Sequence, residues 1–230
     1  MGDHVYYHND DVSSSLIARC IQRHVQGRVL EVGAGVGHVT QELAKISTSV
    51  MALEPNHQLH AELKSRIGHI QNATAHNSDS GDFLLDTSNR ERFDTVVYFN
   101  VLEHIEDDSR ELERASQLLV NDGQIVILVP AHQWLYSSID RLTGHYRRYS
   151  RKNARALVQK HFVDVNVKYF DTAGLLPYLV IYRIFRSKKV SGVNARIYSQ
   201  VILRISYFIF RVFGGLIIGK NLIITARCSK

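Results

Sequence analysis

Three groups of side chains in this sequence have the types and spacing to do chemistry. The first is Glu31-x-Gly33-Ala34-Gly35-x-Gly37, where an apolar run (Val29, Leu30, Val32) ends in three alternate glycines. Glycine permits positive φ and lets a ligand approach the backbone closely. A helix opening at His38 aims its first N–H groups at that ligand. A dinucleotide loop of the form G-x-G-x-x-G needs glycine at position 38, where this chain has histidine. The second group is Glu54, which ends another apolar run (Val50, Met51, Ala52, Leu53) 23 residues after Glu31. A carboxylate there can accept hydrogen bonds from both hydroxyls of a ribose lying on the glycine loop. The third group fills residues 131–150, where apolar periodicity is poor and His132, Trp134, Tyr136, His145, Tyr146, Arg147 and Arg148 are concentrated. A loop this rich in functional side chains is more than a connector. His145 is the candidate general base or orienter, with Tyr146 and Arg147 beside it. Arg147 or Arg148 is the candidate grip on an acceptor carboxylate or phosphate. The plainer alternative pairs these arginines with Glu103, Asp107 and Asp108.

The elements that must position these groups follow from periodicity. Val12, Leu16, Ile17, Cys20 and Ile21 predict a helix over 12–25, capped by Asp10, Asp11 or Ser13. A helix over 38–46 follows the glycine loop. Strand 49–54 ends at Pro55, and a helix with Leu59, Leu63 and Ile67 on one face comes next. Residues 73–80 read as a short strand running into a turn, and 93–100 as a clean fourth strand. Asp107 and Asp108 open a helix carrying Leu112, Ala115, Leu118 and Leu119, since acids in a first turn suit the helix dipole. Asn121-Asp122-Gly123 is a turn, and 124–130 a fifth strand. Ser150 caps a helix reaching 161, and 163–171 is a sixth strand. Residues 175–185 and 195–213 are apolar helical stretches joined by a polar loop containing Ser187-Lys188-Lys189, and 221–227 is a closing strand. Alternating strands and helices at this spacing give an α/β fold with a mostly parallel sheet and helices on both faces. Ligands then bind beyond the carboxyl ends of the strands.

Glu31 to Gly37 resembles motif I of the class I S-adenosylmethionine-dependent methyltransferases. Asn100-Val101-Leu102-Glu103-His104-Ile105 resembles motif IV and the segment after it. Gly144-His145-Tyr146-Arg147-Arg148-Tyr149 resembles a subgroup of small methyltransferases of bacterial biosynthetic pathways. The resemblance spans about residues 25–170 and the closing strand. It implies a doubly wound, seven-stranded, Rossmann-like sheet, with the closing strand antiparallel between strands five and six. It implies S-adenosylmethionine as cofactor and S-adenosylhomocysteine as product. Cofactor contacts fall on Glu31, Gly33, Ala34, Gly35, Gly37, Glu54, Pro55 and Asn56. Asp79 and Ser80 fall near the adenine, and Asn100, Val101, Leu102 and His104 beside the sulfonium. The leading helix would cover the cofactor, with Tyr7 touching it. Some methyltransferases with an E-x-x-E-H segment bind a divalent metal through it and a later histidine. Glu103, His104 and His145 match that pattern, but its first glutamate is Asn100 here.

The expected organisation is one domain over 1–230, with a helical lead at 1–27 and a helical insertion at 175–213 acting as lid, interface or membrane contact. Tyr178, in that insertion, joins His132, Trp134, Tyr136 and Arg148 as a candidate acceptor contact. Two cysteines, Cys20 and Cys228, give no disulfide framework and fit a reducing, cytoplasmic compartment. The first residues carry no basic and apolar signal-peptide pattern. Charge is divided: residues 1–140 hold 10 Lys and Arg against 20 Asp and Glu, and 141–230 hold 18 against 2. Such a basic part suits an anionic substrate, membrane or nucleic acid, or simply an acidic face of the same protein. Nucleic acid is disfavoured, because the segment lacks the basic–aromatic alternation of stacking platforms. The Asn-Pro-Pro-Tyr type tetrapeptide of base methylases is also absent after strand four. The leading reading is methyl transfer to a small molecule. The others are transfer to a lipid-linked or membrane-proximal acceptor, and a non-catalytic cofactor-binding or nucleic-acid-docking module. Peripheral membrane contact and a homodimer stay open.

Overall fold

A computed structural model describes residues 11–185 and 196–230. Tyr7 and Ser187-Lys188-Lys189 lie outside the described residues. Seven strands form one sheet: β1 (Arg28–Val32), β2 (Ser49–Leu53), β3 (Ala73–His76), β4 (Phe93–Phe99), β5 (Leu119–Pro130), β6 (Val163–Phe170) and β7 (Asn221–Arg227). Their order is β3-β2-β1-β4-β5-β7-β6. β7 runs antiparallel to both neighbours, and the pairs among β1 to β5 are parallel. The order reverses between β1 and β4, which opens a crevice beyond their carboxyl ends.

Side-chain alternation along the strands builds two cores. Leu30, Val96, Tyr98, Ile125, Ile127 and Ile224 face one way, onto α5 (Asp108–Leu118) and α7 (Arg151–Val158) through Leu112, Ala115, Ala154 and Val158. Val29, Val97, Val126, Leu128 and Ile223 face the other way, onto α1 (Asp11–Ile21) and α2 (His38–Ala44) through Leu16, Ile17, Ile21, Val39 and Leu43. The central strands are therefore apolar on both sides, as covered parallel sheets require. Each fully buried Leu, Ile or Val contributes about 1.5–3 kcal/mol.

Caps set the helix starts. The Asn56 side chain accepts from Gln58 and Leu59 N–H at the head of α3 (His57–Ile67). Asp79 accepts from Asp82 N–H at the head of α4 (Ser80–Leu85), a short helix that follows the strand and turn expected over 73–80. Asp107 and Ser150 cap α5 and α7 in the same way. The expected turn at 121–123 is instead absorbed into β5 as a break in register, with Asp122 at φ 61°.

The insertion is helical at both ends. α8 (Leu175–Tyr178) continues as a π-helix through Ile184, and a π-helical stretch Tyr198–Ile202 leads into α9 (Leu203–Phe213). The arms pack on different neighbours. Tyr178 buries against Leu135 and Ile139, whereas Leu203 joins the core of α1 and β6. Among the described residues, no helix is long and apolar enough to cross a membrane.

Candidate active site

The glycine loop is bent as its composition requires. Gly33, Gly35 and Gly37 have φ of 71°, 56° and 88°. A Cβ on Gly33 would sit 2.6 Å from Val101 Cγ2, so Gly33 is the floor on which the post-β4 segment rests. Gly33 and Ala34 N–H both donate to the Leu53 carbonyl at 2.9 Å. Gly35 N–H donates to Glu54 Oε2 at 2.8 Å, and Asn56 N–H to Glu54 Oε1 at 2.9 Å. Glu54 thus ties the loops after β1 and β2 together. Each of its oxygens still has acceptor capacity, since a carboxylate offers about four lone-pair sites. Glu31 is buried, and Thr40 Oγ1 donates to its Oε2 at 2.6 Å. Burial pushes its carboxyl up to about 8; the Thr40 hydrogen bond opposes this and the Glu54 charge adds to it.

Asn100 and His132, the residues just beyond β4 and β5, carry positive φ of 53° and 65°. Such backbone is uncommon away from glycine and gathers at functional sites. After Asn100, a 3-10 turn over Leu102–His104 links the glycine loop to the segment after β5. The His104 ring meets the His145 ring edge-on, with centroids 4.6 Å apart. Burial and the His145 charge lower His104 to about 4. Glu103 is fully buried, and neither carboxylate oxygen has a hydrogen-bond partner among the described residues. Ligand atoms of Glu103, His104 and His145 all lie within 4.8 Å of one another.

A residue missed by the sequence reading anchors this segment. Asp140, fully buried in α6 (Ser138–Leu142), accepts from His145 Nδ1 at 2.9 Å and Arg148 Nε at 2.7 Å. Its other oxygen accepts from Ser137 N–H and from Tyr178 Oη, each at 2.8 Å. Burial alone would raise the Asp140 carboxyl, but the His145 hydrogen bond and the Arg148 charge hold it well below the usual range. The available signal was Ser137-x-x-Asp140, a capping-box spacing five residues before His145. Because the carboxylate takes Nδ1–H, His145 presents Nε2 as its free lone pair.

Several expected roles change. Arg148, expected to grip the acceptor, is only 7% exposed and spends its guanidinium on Asp140, Tyr178 and the Ala131 carbonyl. Arg147 donates to Asp108 and to the Glu106 carbonyl, which realises the pairing alternative. Tyr178 hydrogen-bonds Asp140, Ser137 and Arg148 inside the same network. Tyr136 Oη is spent on the His145 carbonyl at 2.6 Å. Leu102 is buried in the main core, and the Ser80 hydroxyl turns inward to Glu111. Asp79, Pro55 and Asn56 stay exposed at the sheet edge. His132 Nε2 lies 3.1 Å from the Gly219 carbonyl and its ring stacks on Tyr169. Trp134 and Tyr146 are more than half exposed beside this network.

A family described as a methyltransferase domain matches residues 7–168. An uncharacterized methyltransferase of Anoxybacillus flavithermus is 32% identical over 100 residues, which is 43% of this chain and 44% of that protein. One from Bacillus mycoides is 29% identical over 125 residues, 53% of each chain. This chain thus spans about half the length of the curated relatives it matches. A S-adenosylmethionine-dependent methyltransferase from Archaeoglobus fulgidus superimposes with TM-score 0.64 at 20% identity, over 95% of this chain and 94% of that one. Phosphoethanolamine N-methyltransferase 2 of Haemonchus contortus, solved with S-adenosylmethionine, gives TM-score 0.62 at 15% identity, over 96% and 58%. At these identities the structural matches speak for the fold.

Proposed function

The chain belongs to the methyltransferase-domain family, and on that premise we propose that it moves a methyl group from S-adenosylmethionine to a small-molecule acceptor in a biosynthetic pathway. The observation that carries this reading is the Gly35–Glu54 hydrogen bond, which shapes one cradle out of the loops after β1 and β2. Glu54 would hold the ribose hydroxyls of S-adenosylmethionine there, and Val101 and His104, which follow β4, would line the methyl side. The acceptor enters from the side of Trp134, His145 and Tyr146. S-adenosylmethionine would supply an electrophilic methyl group to the acceptor's lone pair, the sulfur leaving with the electron pair of the broken carbon–sulfur bond as S-adenosylhomocysteine. His145 Nε2 takes the acceptor proton, and Asp140 steadies the imidazolium as it forms. Most of the acceleration comes from alignment of the two reactants.

Calorimetry tests the cofactor half. Binding of S-adenosylmethionine is expected, with Glu54→Ala weakening it by roughly 1–3 kcal/mol; binding of NAD in its place sinks the reading. Turnover tests the acceptor half. His145→Ala should lower it by roughly 10²-fold with cofactor affinity intact.

A second reading rests on the Glu103 carboxylate, unpartnered among the described residues, beside His104 and His145. These three residues are the right donors for a divalent ion, which when bound would supply Lewis-acid activation of the acceptor. Zinc or manganese titration of the cofactor-free protein, followed by calorimetry, separates the two readings. Stoichiometric binding lost in Glu103→Gln favours the metal, and no binding leaves His145 as base.

A further inference from the structure

Helix α9 turns a second apolar face outward after its first is spent. Ser199, Leu203 and Ser206 are buried toward α1 and β6. On the opposite side Ile205, Phe208 and Val212 recur at steps of three and four, one face of α9, and Ile197 and Val201 add exposed apolar side chains in the turns before it. Each is at least half exposed, and Phe208 is 67% exposed. Gly214 ends the helix in left-handed conformation, and Leu216 and Ile218 continue the apolar surface beyond it. Exposed Arg196, Arg204 and Arg211 border the stripe.

Charge selects the occupant. Residues 172–230 contain ten Lys and Arg and no Asp or Glu. A second copy packed face to face would set arginine against arginine with no acid in the segment to pair them, because a twofold interface presents the same patch from both sides. A spanning helix is ruled out for the described residues by length and hydropathy. An apolar stripe edged by arginines is the composition of a helix lying in a bilayer interface. We propose that α9 and the tip at residues 214–219 seat the protein on an anionic membrane, with Ile205, Phe208 and Val212 among the acyl chains and Arg204 and Arg211 at the lipid phosphates. The tip also touches the candidate site through the Gly219 carbonyl and His132. Seating would therefore bring the acceptor segment near the membrane plane. That consequence rests on the methyl-transfer reading; the docking does not.

The test is flotation of the full chain with vesicles of equal parts phosphatidylcholine and phosphatidylglycerol, against phosphatidylcholine alone. Binding to the mixed vesicles is expected, weakened by added salt because surface attraction is screened. Arg204→Ala and Arg211→Ala should each weaken it roughly fivefold, and Phe208→Ser roughly tenfold. The arginine variants are exposed and keep the test decisive if Phe208→Ser fails to fold. Absence of flotation overturns the proposal. So does equal flotation on both vesicle types that the arginine variants leave unchanged. A stable dimer that Phe208→Ser dissociates, in a protein that ignores both vesicle types, assigns the face to self-association instead.

Discussion

Asp140 is a single side chain on which four others depend. With no exposed surface, it satisfies His145, Arg148, Ser137 and Tyr178 at once. Its charge is the counterweight to Arg148, whose own side chain is 4% exposed. Breaking a buried pair from one side leaves an uncompensated charge, which costs about 3–5 kcal/mol. Urea denaturation of Asp140→Asn should show a loss of that order. Arg148→Met added to it should recover part of the loss, because the stranded charge goes with it. Additive losses in the double variant would mean that the pair is not coupled. At this scale the sequence was informative about which residues gather and poor about what each one does. His145 and Arg148 stand out by type and crowding. The partner that assigns them different jobs is an ordinary aspartate in a short helix, and only the fold brings it within 3 Å of both. Burial decided the rest: nothing in the text of the sequence separates an arginine that grips a ligand from one that braces a loop.

The glycine loop, β2 and the 3-10 turn over Leu102–His104 form the next larger unit. They fit because Gly33 has no side chain: it combines a φ of 71° with a neighbour, Val101, already in the space a Cβ would take. Gly33→Ala is therefore expected to destabilise the protein by about 1–2 kcal/mol from backbone conformation alone. It should also weaken S-adenosylmethionine binding, because Val101 must move off the loop. Thermal melts and calorimetry on one preparation check both, and an alanine variant equal to wild type in both would remove the loop from the site. Elements of this kind were legible in advance. β1, β2, β4 and the antiparallel β7 announce themselves by apolar runs, and three glycines mark the turn. Periodicity failed where local chemistry overrode it. Asp79, in the expected turn after β3, caps a short helix that periodicity does not announce, and a bulge absorbs Asn121-Asp122-Gly123 into β5. The two arms of the insertion were visible as apolar helices. Their separate packing was not, because either could have covered the other.

Across the whole molecule, the buried titratable groups set a pH dependence with a definite sign. Glu31 rises from an ordinary value of 4.5 to about 8 because burial penalises its charge. Between those values the folded protein keeps a proton that the unfolded chain has released, so stability falls as pH rises. His24, His76, His104 and His132 are shifted down from 6.5, chiefly by burial. They act in the opposite sense, but only below that value, where the unfolded chain binds more protons. The interval from about 6.5 to 8 is thus left to the buried carboxyls, with Glu103 adding slope in the same direction as Glu31. The Glu31 share over that interval is on the order of 1–2 kcal/mol, or a few degrees of melting temperature for a chain of this size. The cofactor-free protein should melt progressively lower from pH 6.5 to 8, and Glu31→Gln should flatten that decline. A cation on the glycine loop favours the ionised form of Glu31, so S-adenosylmethionine should release a proton on binding below pH 8. Calorimetry in two buffers of different ionisation enthalpy reads that proton directly. A melting temperature that holds steady or climbs over this range, with no proton released in wild type, would mean that Glu31 is already ionised and that the loop meets its ligand with its charge in place.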